Sequence, residues 1–120
     1  MAKYRLTGNA ATFGQPLSYE GKIVVLRPEH FRARSVVPLL VCHAFKEWII
    51  DVVATREHDH LSVRGTLDST NELQSRAVHH ILSGWRALSV RLDGAAGLVE
   101  ISLCPEGLDK TTWVRLERLD

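Results

Sequence analysis

The apolar residues of this chain fall into short runs separated by turn residues, and one stretch places them at helical spacing instead. The short runs predict strands at about 4–13, 22–27, 36–42, 47–56, 60–67, 86–92, 97–104 and 112–118, of which Ile23-Val24-Val25-Leu26 is the plainest. Residues 14–21 carry Gly and Pro and predict a loop. Pro28 opens a single helical turn near 28–33, and His58-Asp59 makes the turn between two strands. Leu73, Ala77, Val78, Ile81 and Leu82 share one face of a helix over 70–83. Ser69 with Glu72 fits a capping box at its start, and Gly84 a left-handed stop at its end. Many strands with one principal helix, and no regular strand–helix alternation, predict an α+β fold built on a mostly antiparallel sheet or small barrel. A parallel doubly wound fold does not fit this pattern.

One hairpin register can be argued from the pattern. Leu88, Val90 and Leu92 alternate on one strand, and Val99, Ile101 and Leu103 on the next. Opposed residues of an antiparallel pair share a face, so the apolar sets must match. Pairing Val90 with Val99 and Leu88 with Ile101, around a loop of Asp93-Gly94-Ala95-Ala96, satisfies this and sets Ser89 opposite Glu100.

At 120 residues, 45% apolar and 24% charged, the chain reads as one domain over 1–120. A net charge of +1 gives no basic field, which argues against nucleic-acid binding. The longest apolar runs, Val36 to Cys42 and Trp48 to Ala54, fall well short of the ~20 residues that cross a bilayer. The start, Met1-Ala2-Lys3-Tyr4-Arg5, lacks the apolar core of a signal peptide. Cys42 and Cys104 lie in apolar strands and read as reduced and buried, which fits a cytosolic setting.

Three apolar stretches each carry one polar group that a core strand does not need. These are His43 after Pro38-Leu39-Leu40-Val41-Cys42, Ser89 within Ala87-Leu88-Ser89-Val90, and Glu100 within Leu98-Val99-Glu100-Ile101-Ser102-Leu103. An imidazole, a hydroxyl and a carboxylate are the parts of an acyl-transfer site, because a serine is a poor nucleophile until a base takes its proton. Each also has a plain reading. A strand-end histidine is commonly structural, a strand serine is a small filler, and Glu100 could pair with Arg91 or Arg86. His58 and His60 flank a solvated turn without further ligands at metal spacing. His79 and His80 read as surface, and Trp48, Trp85 and Trp113 as core or barrel rim.

A run of segments, taken in order, shifts that balance by its likeness to the motifs of one known family. Leu6-Thr7-Gly8-Asn9-Ala10-Ala11-Thr12-Phe13-Gly14 is similar to an early Gly-Tyr-Ala-like strand, and Leu26-Arg27-Pro28-Glu29-His30-Phe31 to a Pro-Gly-Ala-Phe-like turn. Val37-Pro38-Leu39-Leu40-Val41-Cys42-His43 resembles the strand ending in the family's His-Asp, with Ala44 in place of the Asp. Trp48-Ile49-Ile50 and Arg56-Glu57-His58-Asp59 resemble a Trp-Ile-Gly-like strand and its acidic turn. Val63-Arg64-Gly65-Thr66-Leu67 resembles a Val-Glu-Gly-Thr-Leu-like strand. Ser83-Gly84-Trp85-Arg86-Ala87-Leu88-Ser89-Val90 is similar to the Gly-Leu-Ser strand that bears the nucleophile, with Ala87 for the first Gly. Glu100-Ile101-Ser102-Leu103-Cys104 resembles Glu-Ile-Ser-Leu-Val, and Pro105-Glu106-Gly107 departs from a Pro-Ala-Asn-Pro-like run.

Together these segments resemble the HK97-type prohead proteases of tailed phages, relatives of the herpesvirus assemblins. The resemblance covers roughly residues 4–105 and implies a serine endopeptidase of capsid maturation. It would work in assembling proheads in the host-cell cytoplasm, with scaffold segments of the major capsid protein, and the enzyme itself, as substrates. Ser89 would be the nucleophile, His43 the general base and Glu100 the group that orients the imidazole, although assemblin-like relatives use a histidine third. The oxyanion donors would come from backbone amides of the 106–111 loop or from an arginine. No cofactor or metal is implied, and a homodimer is, by likeness to the assemblins. Two other readings stand beside this one: a catalytically silent assembly or scaffolding protein on the same fold, and a small binding module.

Overall fold

The structure is a computed structural model that describes residues 2–94, 97–107 and 109–120. In chain order the elements are β1 (Lys3–Thr12), β2 (Pro16–Tyr19), β3 (Lys22–Val25), a 3-10 turn (Pro28–His30), β4 (Arg34–Val41), β5 (Ala44–Arg56) and β6 (His60–Asp68). The helix α1 (Glu72–Leu82), β7 (Ala87–Asp93), β8 (Gly97–Cys104) and β9 (Trp113–Arg118) follow. Seven strands form one curled sheet in the order β7-β8-β4-β5-β6-β1-β9, and β2 with β3 makes a separate ribbon. This is the expected α+β architecture.

The core face of the curled sheet is lined largely by Leu, Ile and Val. Leu6, Leu39, Val52, Leu61, Leu67, Leu88, Ile101 and Leu103 are buried in one cluster, which the helix joins through Ala77, Val78 and Ile81. Burial of each large side chain contributes about 1.5–3 kcal/mol. The curl brings β7 toward the far edge of the sheet, where the Leu88 amide donates to Thr112 Oγ1 at 3.2 Å. Gly8 of β1 permits that approach. A Cβ there would stand 2.5 Å from the Trp113 carbonyl oxygen and 2.9 Å from Leu88 Cδ1.

Several expectations need correction. Residues 16–19 are a strand and not part of a loop. Their partner is β3, across a turn in which Glu20 and Gly21 both take positive φ, the geometry that a two-residue hairpin favours. The helix is capped by Asn71, whose side chain accepts the Gln74 amide, and not by Ser69. Ser69 instead exchanges two hydrogen bonds with the backbone of Ala2. Leu82, expected on the buried face, ends the helix largely exposed.

The β7–β8 register also differs, by two residues. Ser89 lies opposite Ser102, Val90 opposite Ile101, and Arg91 opposite Glu100. A two-residue slip keeps every side chain on its face, so matching apolar sets could not exclude it. A bulge at Val99 takes up the odd residue, since Leu92 pairs with Leu98 and Asp93 with Gly97. Ala95 and Ala96 of the expected loop lie outside the described residues.

Candidate active site

The site begins with a hairpin turn. Val41 pairs with Ala44, leaving Cys42 and His43 as the two turn residues. Both take positive φ, 48° and 61°, which the turn demands and which costs a non-glycine residue about 1 kcal/mol or more. The turn is held against β8. There a parallel pairing, the only one among the described residues, sets Leu39 opposite Ile101, Leu40 opposite Ser102 and Val41 opposite Leu103. The Cys42 amide donates to the Leu103 carbonyl at 3.1 Å, and the His43 amide to Ser102 Oγ at 2.7 Å.

Glu100 sits two residues before Ser102 on the same face of β8 and has no exposed surface. One carboxylate oxygen, Oε1, is hydrogen-bonded to His43 Nδ1. The other, Oε2, accepts from the Ser102 hydroxyl at 3.0 Å. Its partners are therefore His43 and Ser102, and not Arg86 or Arg91. The far ring nitrogen, His43 Nε2, lies 3.1 Å from Ser89 Oγ. Ser89 stands on β7, the edge strand of the sheet, and is half-buried. The structure thus joins the three residues singled out from the sequence in one chain of contacts, hydroxyl to imidazole to buried carboxylate.

Both His43 and Ser89 open onto a cavity of about 910 Å³. Leu17 and Val24, directly paired across the β2–β3 ribbon, line it together with Leu88 and Val90. Arg91, Glu106 and Asp109 also border it. Gly107, in the segment after β8, comes close to β7: a Cβ there would lie 3.2 Å from Ala87 Cβ and 3.4 Å from the Leu88 carbonyl oxygen. Leu108 of that segment lies outside the described residues.

Ser102 was not among the residues chosen from the sequence. The available signal was its i+2 spacing from Glu100, which puts two polar groups on one face of an otherwise apolar strand. The cysteines divide. Cys104 is buried as expected, but Cys42 is exposed because it sits in the turn, not in the strand. Burial pushes the Cys104 thiol up to about 12, with the adjacent Cys42 and the Glu100 carboxylate adding to the effect.

The remaining histidines lie elsewhere. His60 Nδ1 is 2.6 Å from Asp59 Oδ1, and this contact holds the exposed Asp59 carboxyl below its ordinary value. His79 is exposed, whereas His80 is half-buried and stacks on Trp85 at 4.1 Å between centroids. Trp48 and Trp113 are substantially exposed, as rim residues. Among the described residues, no group of three or more His, Cys, Asp or Glu side chains is placed to hold a metal.

No protein-family model and no curated protein matches the chain. Solved structures do. The protease of Kaposi's sarcoma-associated herpesvirus, bound to a hexapeptide phosphonate inhibitor, superposes with a TM-score of 0.73 at 14% identity, over 96% of this chain and 65% of that one. A further structure of that protease gives 0.63 at 14% identity, over 96% of this chain and 61% of that one. A third, bound to a dimer disruptor, gives 0.57 at 10% identity, over 94% and 75% of the two chains. At such identities the likeness establishes a shared fold. The chain spans about 65% of the length of the first of these proteases.

Proposed function

We propose that the chain is a serine endopeptidase of the prohead-protease type, which removes scaffold segments of a phage capsid protein, and cuts itself, during capsid maturation. One observation carries the reading: Ser89 Oγ lies 3.1 Å from His43 Nε2, while Glu100 is bonded to Nδ1 of the same ring. The herpesvirus protease fold and the order of sequence motifs support it. In this mechanism Ser89 Oγ attacks the scissile carbonyl carbon and its proton passes to His43 Nε2. The imidazolium, stabilised by the Glu100 carboxylate, returns that proton to the departing amine as the peptide C–N bond breaks. Water, deprotonated by the same nitrogen, then hydrolyses the acyl-serine and regenerates the hydroxyl. Backbone amides near Gly107, the point where the segment after β8 meets β7, are the proposed donors to the oxyanion; losing one such donor typically costs about 10²–10³ in rate.

The cavity beside Ser89 is lined largely by apolar residues, which suits the side chains of a bound peptide. Action inside assembling proheads in the host cytoplasm, and assembly as a homodimer, belong to the same proposal. The dimer disruptor bound to the herpesvirus protease supports the latter by analogy. The joined site favours an enzyme over a silent scaffolding protein or a binding module, since neither requires a hydroxyl, an imidazole and a buried carboxylate in line. The test is co-expression with the capsid protein encoded beside this chain, followed by mass spectrometry. Wild type is expected to yield a shortened capsid protein and self-cleavage products, and Ser89→Ala neither. An uncut capsid protein with wild type overturns the reading.

A further inference from the structure

Ser102 is fully buried, yet its hydroxyl is the junction between two functional groups. It accepts the His43 backbone amide at 2.7 Å and donates to Glu100 Oε2 at 3.0 Å. Its oxygen also stands 3.2 Å from His43 Nδ1. A serine hydroxyl has one proton and two lone pairs, so giving the proton to Glu100 leaves the oxygen free to accept from His43. Among the described residues, Ser102 is the sole donor to Oε2, and that carboxylate has no exposed surface. The same oxygen anchors the backbone of a histidine whose φ of 61° is unfavourable for a residue with a side chain.

We infer that Ser102 is a positioning residue, which fixes the Glu100 carboxylate and the His43 turn as one unit so that both ring nitrogens of His43 meet their partners together. Burial removes Ser102 from substrate, so it acts only through those two residues. The kinetic consequence rests on the proposed peptidase activity, and the structural consequence does not.

The experiment compares wild type, Ser102→Ala and Ser102→Thr, the last retaining the hydroxyl. The first readout is the proton NMR signal of the His43 Nδ1–H, assigned by its loss in His43→Gln. It is expected to be slow to exchange in wild type and in Ser102→Thr, and broadened or lost in Ser102→Ala while the fold persists by circular dichroism. The second readout is turnover: Ser102→Ala is expected to lower kcat about 10- to 100-fold with KM little changed. The effect should shrink to less than about threefold in a Glu100→Gln background, because the two residues act as one unit. A sharp, protected Nδ1–H in Ser102→Ala, or losses that simply multiply with Glu100→Gln, overturns the inference. If Ser102→Ala fails to fold, Ser102→Gly, which also lacks the hydroxyl, replaces it, and an unchanged Nδ1–H signal there has the same force. If wild type cleaves nothing, the activity proposal fails, and the NMR comparison still decides the role of Ser102.

Discussion

His43 and Ser89 are 46 positions apart in sequence, yet Nε2 of one stands 3.1 Å from Oγ of the other, across a strand that belongs to neither. That strand is β8, which pairs with the strand leading to His43 on one side and with the strand carrying Ser89 on the other. It also supplies Glu100 and Ser102 between them. The contact is therefore a property of three-strand packing, and its consequences can be tested one residue at a time.

In the proposed mechanism Ser89→Ala removes the nucleophile and little else. Turnover of a capsid-protein peptide should fall by about 10⁴-fold or more. Stability should stay within about 0.5 kcal/mol, since the side chain is only half-buried and its loss opens no core cavity. Paired peptide-cleavage and denaturant-unfolding measurements check this. A variant that still cleaves at the wild-type rate would place the nucleophile elsewhere.

Glu100→Gln keeps the shape of the buried group and removes its charge. Under the proposed mechanism kcat should drop about 10³- to 10⁴-fold, because the imidazolium that mechanism forms would lose its counter-ion. Glu100→Ala should also lower stability, by about 1–3 kcal/mol, because the buried Ser102 hydroxyl loses its acceptor. Kinetics on the first variant and urea unfolding of the second give the two values.

Gly8→Ala probes the curl of the sheet. The added methyl would lie 2.5 Å from a backbone oxygen of Trp113, and backbone yields less readily than a side chain. We expect a loss of about 1–3 kcal/mol, seen as a lower thermal midpoint, with reduced turnover because β7 and β9 are pushed apart. An unchanged midpoint would show that this close approach does not exist in solution.

The cysteines predict an alkaline limit on stability. In the folded chain the Cys104 thiol is pushed up to about 12 from its ordinary 9.0, so the folded state holds its proton more tightly than the unfolded chain does. Its contribution is complete below about pH 9 and is lost as the pH rises toward 12, where the unfolded chain ionises first. Thermal melts over that range should show a falling midpoint, with a shallower fall in Cys104→Val. In the native protein a thiol-specific reagent should label the exposed Cys42 promptly, and Cys104 only after unfolding. Equal labelling rates for both would contradict the burial of Cys104.

Much of this fold is written locally. Alternating apolar residues set the main strands to within a few positions, and the spacing of Leu73, Ala77, Val78 and Ile81 set the one helix. The ribbon strand Pro16–Tyr19 escaped because its Gly and Pro neighbours read as a loop, and because it pairs only with β3 outside the main sheet. The helix cap moved from Ser69 to Asn71 because Ser69 is committed to Ala2, a partner 67 residues away that no local motif reveals.

The candidate site divides in the same way. The sequence by itself determined which polar groups interrupt apolar strands, and that Ser89 and Glu100 share a face, since a period of two survives any even slip in register. Tertiary structure alone decided the two-residue shift that sets Ser89 opposite Ser102, and the parallel pairing of β4 with β8 that delivers the His43 turn to Glu100. Local pattern fixes the direction a side chain faces. Which strands become neighbours is settled by burying the whole apolar surface at once, a global sum that no short segment contains.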